Sequence, residues 1–229
     1  KKRKKETNSI SAMGIIMNPQ TGAILAMASV PGFDNNYFPN YKIDNHHCRI
    51  ITDQFEPGST FKIVAAVAAL AENKVSISEE FNCENGSFNY FGSKIEDHEE
   101  YGQLTLSQII KHSSNIGIIK IAERLGSKSI YKYARLFGFG SKTNIDLDGE
   151  TSGTLKSEKR WSRISVGQIS MGHEVGVSAL QLATAYSAIA NDGYLVKPYV
   201  IEQIVQSNNE LRVQNNIRVH RKIANENIM

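Results

Sequence analysis

The heptapeptide Glu56-Pro57-Gly58-Ser59-Thr60-Phe61-Lys62, with the Ala-rich run behind it, constrains this chain more than any other stretch. Pro57 and Gly58 interrupt whatever precedes them, and Ser and Thr at that boundary suit a helix start. Ala and Val across residues 63–72 then carry a helix forward. On that helix Ser59 and Lys62 are three residues apart and share a face at the positive end of the dipole. A serine hydroxyl is a weak nucleophile at neutral pH and needs a base beside it. A lysine serves when burial lowers its pKa, and Phe61 with residues 63–67 offers an apolar surround. Backbone N–H groups at the helix start suit an oxyanion. Taken alone, S-x-x-K favours a plainer reading: Ser59 is an N-cap and Lys62 a solvated first-turn residue.

The 229 residues are enough for one large domain or two modest lobes, and 41% hydrophobic with 21% charged content is ordinary globular composition. Lys1, Lys2, Arg3, Lys4 and Lys5 supply five positive charges against a net +3, so the body is weakly acidic. A nucleic-acid partner is therefore not expected. Residues 1–11 read as a basic tail and 12–229 as the folded part. No apolar run approaches the ~18 residues of a membrane span, and no secretory signal is visible. Cys48 and Cys83 leave the redox compartment open.

Two strand-like runs within residues 12–30 flank Asn18-Pro19-Gln20-Thr21-Gly22, a hairpin signal. Residues 32–47 read as a polar loop and 75–85 as a mixed connection. Residues 86–90 and 92–95 read as short strands or an extended loop. Leu104, Leu106, Ile109 and Ile110 fit one helical face, capped by Thr105 or Ser107. Residues 116–125 and 130–137 read as helices closed by Gly126 and Gly138. Residues 140–156 read as a long surface loop, 178–190 as a helix, 199–205 as a strand, and 208–229 as polar and poorly patterned.

Ser113-Ser114-Asn115 sits between two of these helices. A serine there can hand a proton to a leaving group and an asparagine can hold an amide, whereas the plain reading is a helix–helix turn. With Glu56 to Lys62 and Leu104-Thr105-Leu106, this segment resembles the transpeptidase domain of class B penicillin-binding proteins, a motif set also described for class A β-lactamases. The resemblance extends over roughly residues 12–198. It includes Asn18-Pro19-Gln20-Thr21-Gly22, Gly167 to Gly172, Glu174-Val175-Gly176-Val177-Ser178, Gln181-Leu182-Ala183-Thr184-Ala185-Tyr186 and Ala190-Asn191-Asp192-Gly193. Septum-type division transpeptidases are the most similar, with elongation-type relatives near.

What the resemblance implies is an α+β fold: an antiparallel sheet flanked by helices, plus a helical lobe. It implies peptidoglycan D,D-transpeptidation, with stem peptides as substrates and β-lactam antibiotics as acylating ligands. Ser59 is then the acylated nucleophile, Lys62 its general base, Ser113 a proton relay and Asn115 a substrate-binding residue. No metal or organic cofactor is implied. The family acts outside the cytoplasmic membrane, among other cell-wall synthesis or division proteins, behind an anchor not in this chain. The family's Lys-Thr/Ser-Gly motif is absent, and Lys142-Thr143-Asn144 does not replace it. The chain is therefore expected to lack its last strands, to be an incomplete catalyst, and to expose strand edges and apolar surface. A β-lactamase or carboxypeptidase, and a non-catalytic scaffold or sensor, remain as alternatives.

The histidines, His46, His47, His98, His112, His173 and His220, lack metal-ligand spacing and read as loop residues. Asp146, Asp148 and Glu150 read as a solvated acidic loop rather than a deacylating carboxylate. Tyr101 and Gly102 read as a structural turn, and Trp161 as core or cleft wall.

Overall fold

The computed structural model describes residues 7–208 and 210–229; the basic run at residues 1–5 lies outside them. Strands β1 (Ala12–Met17) and β2 (Ile24–Val30) pair antiparallel from Ala12↔Val30 to Met17↔Ile24. Asn18 turns the hairpin, its Oδ1 accepting the N–H of Gln20 at 3.0 Å and of Thr21 at 3.1 Å. Residues 32–47 form two 3₁₀ turns and connecting loop, in keeping with their polar composition. Helix α1 (Arg49–Thr52) follows, then a 3₁₀ turn over Gly58–Phe61 and helix α2 (Lys62–Ala71).

Next come four short strands, β3 (Glu80–Asn82), β4 (Ser87–Tyr90), β5 (Ser93–Glu96) and β6 (Gln103–Thr105). β3 pairs with β6 and β4 with β5. Helix α3 (Leu106–His112) is opened by Thr105, which forms a capping box with Gln108. Helix α4 (Asn115–Leu136) contains Gly126 at φ 76°, ψ 165°, which splits it at the expected boundary between two helical segments. Helices α5 (Ser165–Ser170) and α6 (Ala179–Ile189) complete the helical part, and Ser178 caps α6 in a capping box with Gln181.

The last strands are β7 (Tyr194–Val196), β8 (Gln203–Val205), β9 (Leu211–Gln214) and β10 (Val219–Lys222), pairing β7–β10 and β8–β9. Residues 208–229 thus hold regular structure that composition did not reveal. β9 and β10 are exposed along their whole length, so no in–out alternation marks them.

This is an α+β arrangement in which every strand pair is antiparallel. Among the described residues the strands pair two by two, and a parallel bridge from Ala23 to Tyr199 adds to the β1–β2 hairpin. Ile16 and Leu25 of that hairpin are exposed, so apolar surface does stand open on the sheet. Among the described residues no helix is long and apolar enough to cross a membrane.

The main core lies where α2 packs on α4 and α5, and Phe61, Val64, Ile118, Ile119, Ile121 and Phe139 are fully buried in it. Trp161 joins it half-buried, its Nε1–H donating to Lys156 O at 2.9 Å, so it is core-edge rather than free wall. A smaller cluster of Ile50, Ile51, Ile145 and Leu180 sits under the hairpin against Met13 and Ile24. Cys48 and Cys83 are both free thiols.

The acidic loop is not simply solvated. Glu150 is buried and accepts from Thr143 N (2.7 Å), Thr143 Oγ1 (2.7 Å) and Asn144 N (2.9 Å). Asp146 accepts from Val200 N and Ile201 N. Short loops carry unpaired N–H groups that sequence cannot count, and these carboxylates satisfy them. Two of the histidines expected in loops lie instead on regular elements, His112 on α3 and His220 on β10.

Phe61 is wholly buried, with its ring 4.9 Å from that of Phe139. Phe61→Ala is expected to cost about 3–5 kcal/mol through lost transfer energy and a residual cavity, measured by urea unfolding.

Candidate active site

Lys62 opens α2 yet is only 2% exposed. Phe61 before it and residues 64–69 after it are buried and apolar, so α2 must draw its first turn into the core and takes the ammonium with it. Burial of a charge is costly unless acceptors replace water. Three do so: Lys62 Nζ donates to Ser113 O, to Ser113 Oγ at 3.0 Å and to Asn115 Oδ1 at 2.8 Å. The solvated reading of Lys62 is therefore wrong. Burial pushes its pKa down from 10.5 to about 8, while the negative charge of Asp97 pulls it back upward.

Ser59 is three residues upstream, on the 3₁₀ turn rather than on the α-helix, and is exposed. Neither helix start carries a side-chain cap, so its hydroxyl is not spent on capping. Lys62 already has one acceptor for each of its three N–H groups. On losing a proton the amine keeps two donors and gains a lone pair, so it can accept a proton while still held by two of its three partners.

The Ser113–Asn115 turn is built by two helices that meet end to start. Ser113 closes α3 in the left-handed region (φ 57°, ψ 37°), and its N–H returns to Ile109 O and Ile110 O. Ser114 caps α4, accepting Gly117 N at 2.9 Å. Gly117 is needed here because a Cβ would lie 2.5 Å from Ile109 Cγ1. Asn115 orients its amide by donating Nδ2–H to Glu96 O at 2.9 Å, which turns Oδ1 to the lysine and leaves one N–H for another acceptor.

Asp97, just beyond β5, was not singled out from sequence. Its Oδ1 accepts Asn115 N (2.5 Å) and Ile116 N (3.1 Å), and Oδ2 accepts Ser114 Oγ–H at 2.6 Å. A carboxylate at the start of α4 meets both the open N–H groups and the positive helix end. Nothing in a lone Ile-Glu-Asp-His string announces this, because the partners are some 17–19 residues away.

Lys62, Ser113 and Asn115 thus form one hydrogen-bonded cluster, and Ser59 stands on the turn that leads into Lys62. Lys142, Thr143 and Asn144 line a separate cavity of about 240 Å³ with His220 and Arg221, away from that cluster. Asp97→Asn is expected to destabilise the fold by about 1–3 kcal/mol, since an amide cannot accept all three bonds. It should also lower the Lys62 pKa further, read from the Nζ resonance across a pH titration.

Residues 12–228 match the family described as the penicillin binding protein transpeptidase domain. The chain is 35% identical over 186 residues to the probable peptidoglycan D,D-transpeptidase PbpC of Pseudomonas aeruginosa, covering 81% of this chain and 33% of that protein. It is 34% identical over 194 residues to the peptidoglycan D,D-transpeptidase FtsI of Escherichia coli, covering 85% and 32%. It is 33% identical over 194 residues to the stage V sporulation protein D of Bacillus subtilis, covering 83% and 30%. The chain therefore spans about a third of the length of these relatives. Among solved structures, apo penicillin binding protein 3 of Mycobacterium tuberculosis superposes with a TM-score of 0.88 at 27% identity, over 98% of this chain and 51% of that one. The same protein complexed with ampicillin gives a TM-score of 0.85 at 27% identity, over 98% and 50%. The sequence match over 12–228 and the shared backbone together establish that this chain belongs to the penicillin-binding protein transpeptidase domain family.

Proposed function

We propose that this chain carries the nucleophile half of a serine-type peptidoglycan D,D-transpeptidase, with residues 12–229 forming an incomplete transpeptidase domain. The observation that carries the reading is the buried Lys62 amine, lowered to a pKa of about 8 and held by Ser113 and Asn115, three residues after the exposed Ser59. Ser59 Oγ attacks the carbonyl between two D-alanines as Lys62 takes its proton. Lys62 and Ser113 then protonate the departing D-alanine. The ester on Ser59 is resolved by an amine of a neighbouring stem peptide, which restores the hydroxyl. The free Nδ2–H of Asn115 is suited to a substrate carbonyl, and the N–H of Ser59 to the developing oxyanion. β-Lactams acylate the same serine.

The reading places the chain on the outer face of the cytoplasmic membrane, working with other cell-wall synthesis or division proteins behind an anchor outside these residues. The commitment of Glu150 to Thr143 and Asn144 weighs against a water-activating carboxylate there, and so against a hydrolase.

Fluorescent penicillin and intact mass test the proposal on the 229 residues and on the full-length protein. A stable adduct is expected on the full-length protein only, since the 229 residues lack a Lys-Thr/Ser-Gly motif. An adduct that survives Ser59→Ala sinks the assignment of the nucleophile. No adduct on either folded protein favours a scaffold.

The acylation rate should rise with pH and level off above a midpoint near 8, because only neutral Lys62 accepts the proton. Lys62→Arg, which stays protonated, should lose about 100-fold or more. A flat profile across pH 6–10 would exclude Lys62 as the base.

A further inference from the structure

Glu56 takes no part in the chemistry above, and each of its carboxylate oxygens has a protein partner although the side chain is 56% exposed. Oε2 pairs with His173 Nδ1 at 3.0 Å and Oε1 accepts the N–H of Glu174 at 2.9 Å. Two residues on, Gly58 N–H donates to Gly172 O at 3.2 Å. The two backbones touch with no room for a side chain: a Cβ on Gly172, at φ +87°, would lie 2.1 Å from Gly58 O. Upstream, Phe55 and Val177 exchange hydrogen bonds of 3.0 and 2.9 Å. Downstream, Tyr186 of α6 donates to Thr60 O at 3.0 Å, and Thr60 Oγ1 donates to Pro57 O at 2.7 Å. Glu174 is itself anchored, accepting Ser165 Oγ–H at 2.8 Å.

The turn is gripped on both sides of Ser59, while the Ser59 side chain is exposed and its hydroxyl caps no helix. A serine has one side-chain torsion, so backbone placement largely decides where Oγ stands. Lys62 is fixed from the other side by Ser113 and Asn115. The distance between nucleophile and base then depends on the hold at residues 172–174.

We propose that Glu56 is a positioning residue for Ser59: by holding His173 and the Glu174 N–H, its carboxylate fixes the turn that aims the nucleophile. This rests on the acyl-transfer reading. The hydrogen bonds from His173 and from the Glu174 backbone lower the Glu56 pKa, so the group is ionised at neutral pH.

The test uses the full-length protein as wild type, Glu56→Ala, Glu56→Gln and His173→Gln. Stopped-flow acylation by a fluorescent penicillin separates the pre-acylation dissociation constant from the acylation rate constant, and circular dichroism gives the folded fraction. Misplacement of a nucleophile by about 1 Å costs on the order of 100-fold. Glu56→Ala should lower the acylation rate constant by about 10- to 100-fold per folded molecule, with the dissociation constant nearly unchanged. Glu56→Gln, whose amide oxygen still accepts the Glu174 N–H, should recover most of the rate, and His173→Gln should lose about 3- to 10-fold. The proposal is overturned if Glu56→Ala acylates at the wild-type rate, or loses rate only in proportion to unfolding. Should Glu56→Ala fail to fold, a wild-type rate in His173→Gln overturns it equally. A folded wild-type protein that forms no adduct removes the acyl-transfer reading itself.

Discussion

A buried ammonium with three protein acceptors is the constraint on which the rest of this structure depends. Lys62 enters the core because the helix it opens is almost wholly apolar. Once there it must be paired, and its partners all come from the turn between α3 and α4. An isolated charge in such a place costs several kcal/mol, so the Lys62 site and that turn stand or fall together. The residual desolvation is what lowers the lysine into the range where it can exchange a proton near neutral pH.

The turn is held in its own right. Ser113 in the left-handed region, Ser114 as a cap and Gly117 without a side chain let one helix follow the other across a two-residue turn. Asp97 then neutralises the open end of α4 and, through space, keeps Lys62 from losing its proton too readily. One carboxylate thus serves the fold and the electrostatics of the site. On the opposite side, backbone contact between Gly58 and Gly172 sets the turn that carries Ser59. One support thus holds the Lys62 amine, and the other holds the backbone of the turn that carries Ser59.

Much of the fold was legible because the signals were local. The hairpin followed from two apolar runs around Asn18 and Gly22, and Thr105 was one of the two caps read for α3. Gly126 marked the break in α4. The strands of residues 208–229 escaped notice because both of their faces are exposed. Glu150 was misjudged because its partners are backbone N–H groups, which every residue but proline possesses and which carry no sequence signature.

Sequence alone offered the candidates, Ser59 and Lys62 at S-x-x-K spacing and Ser113 and Asn115 in a turn between two helices, and the resemblance to penicillin-binding protein transpeptidase domains supplied their expected roles. Only the tertiary structure decided which polar atoms meet. It turned a solvated lysine into a buried one, freed Ser59 from a capping role, and brought Asp97, Glu56 and His173 into the neighbourhood of the site. The physical reason is range. Capping, turns and periodicity act within a few residues, whereas burial and pairing depend on contacts across tens to more than 100 residues, such as Asp97 with Asn115, Lys62 with Ser113 and Glu56 with His173.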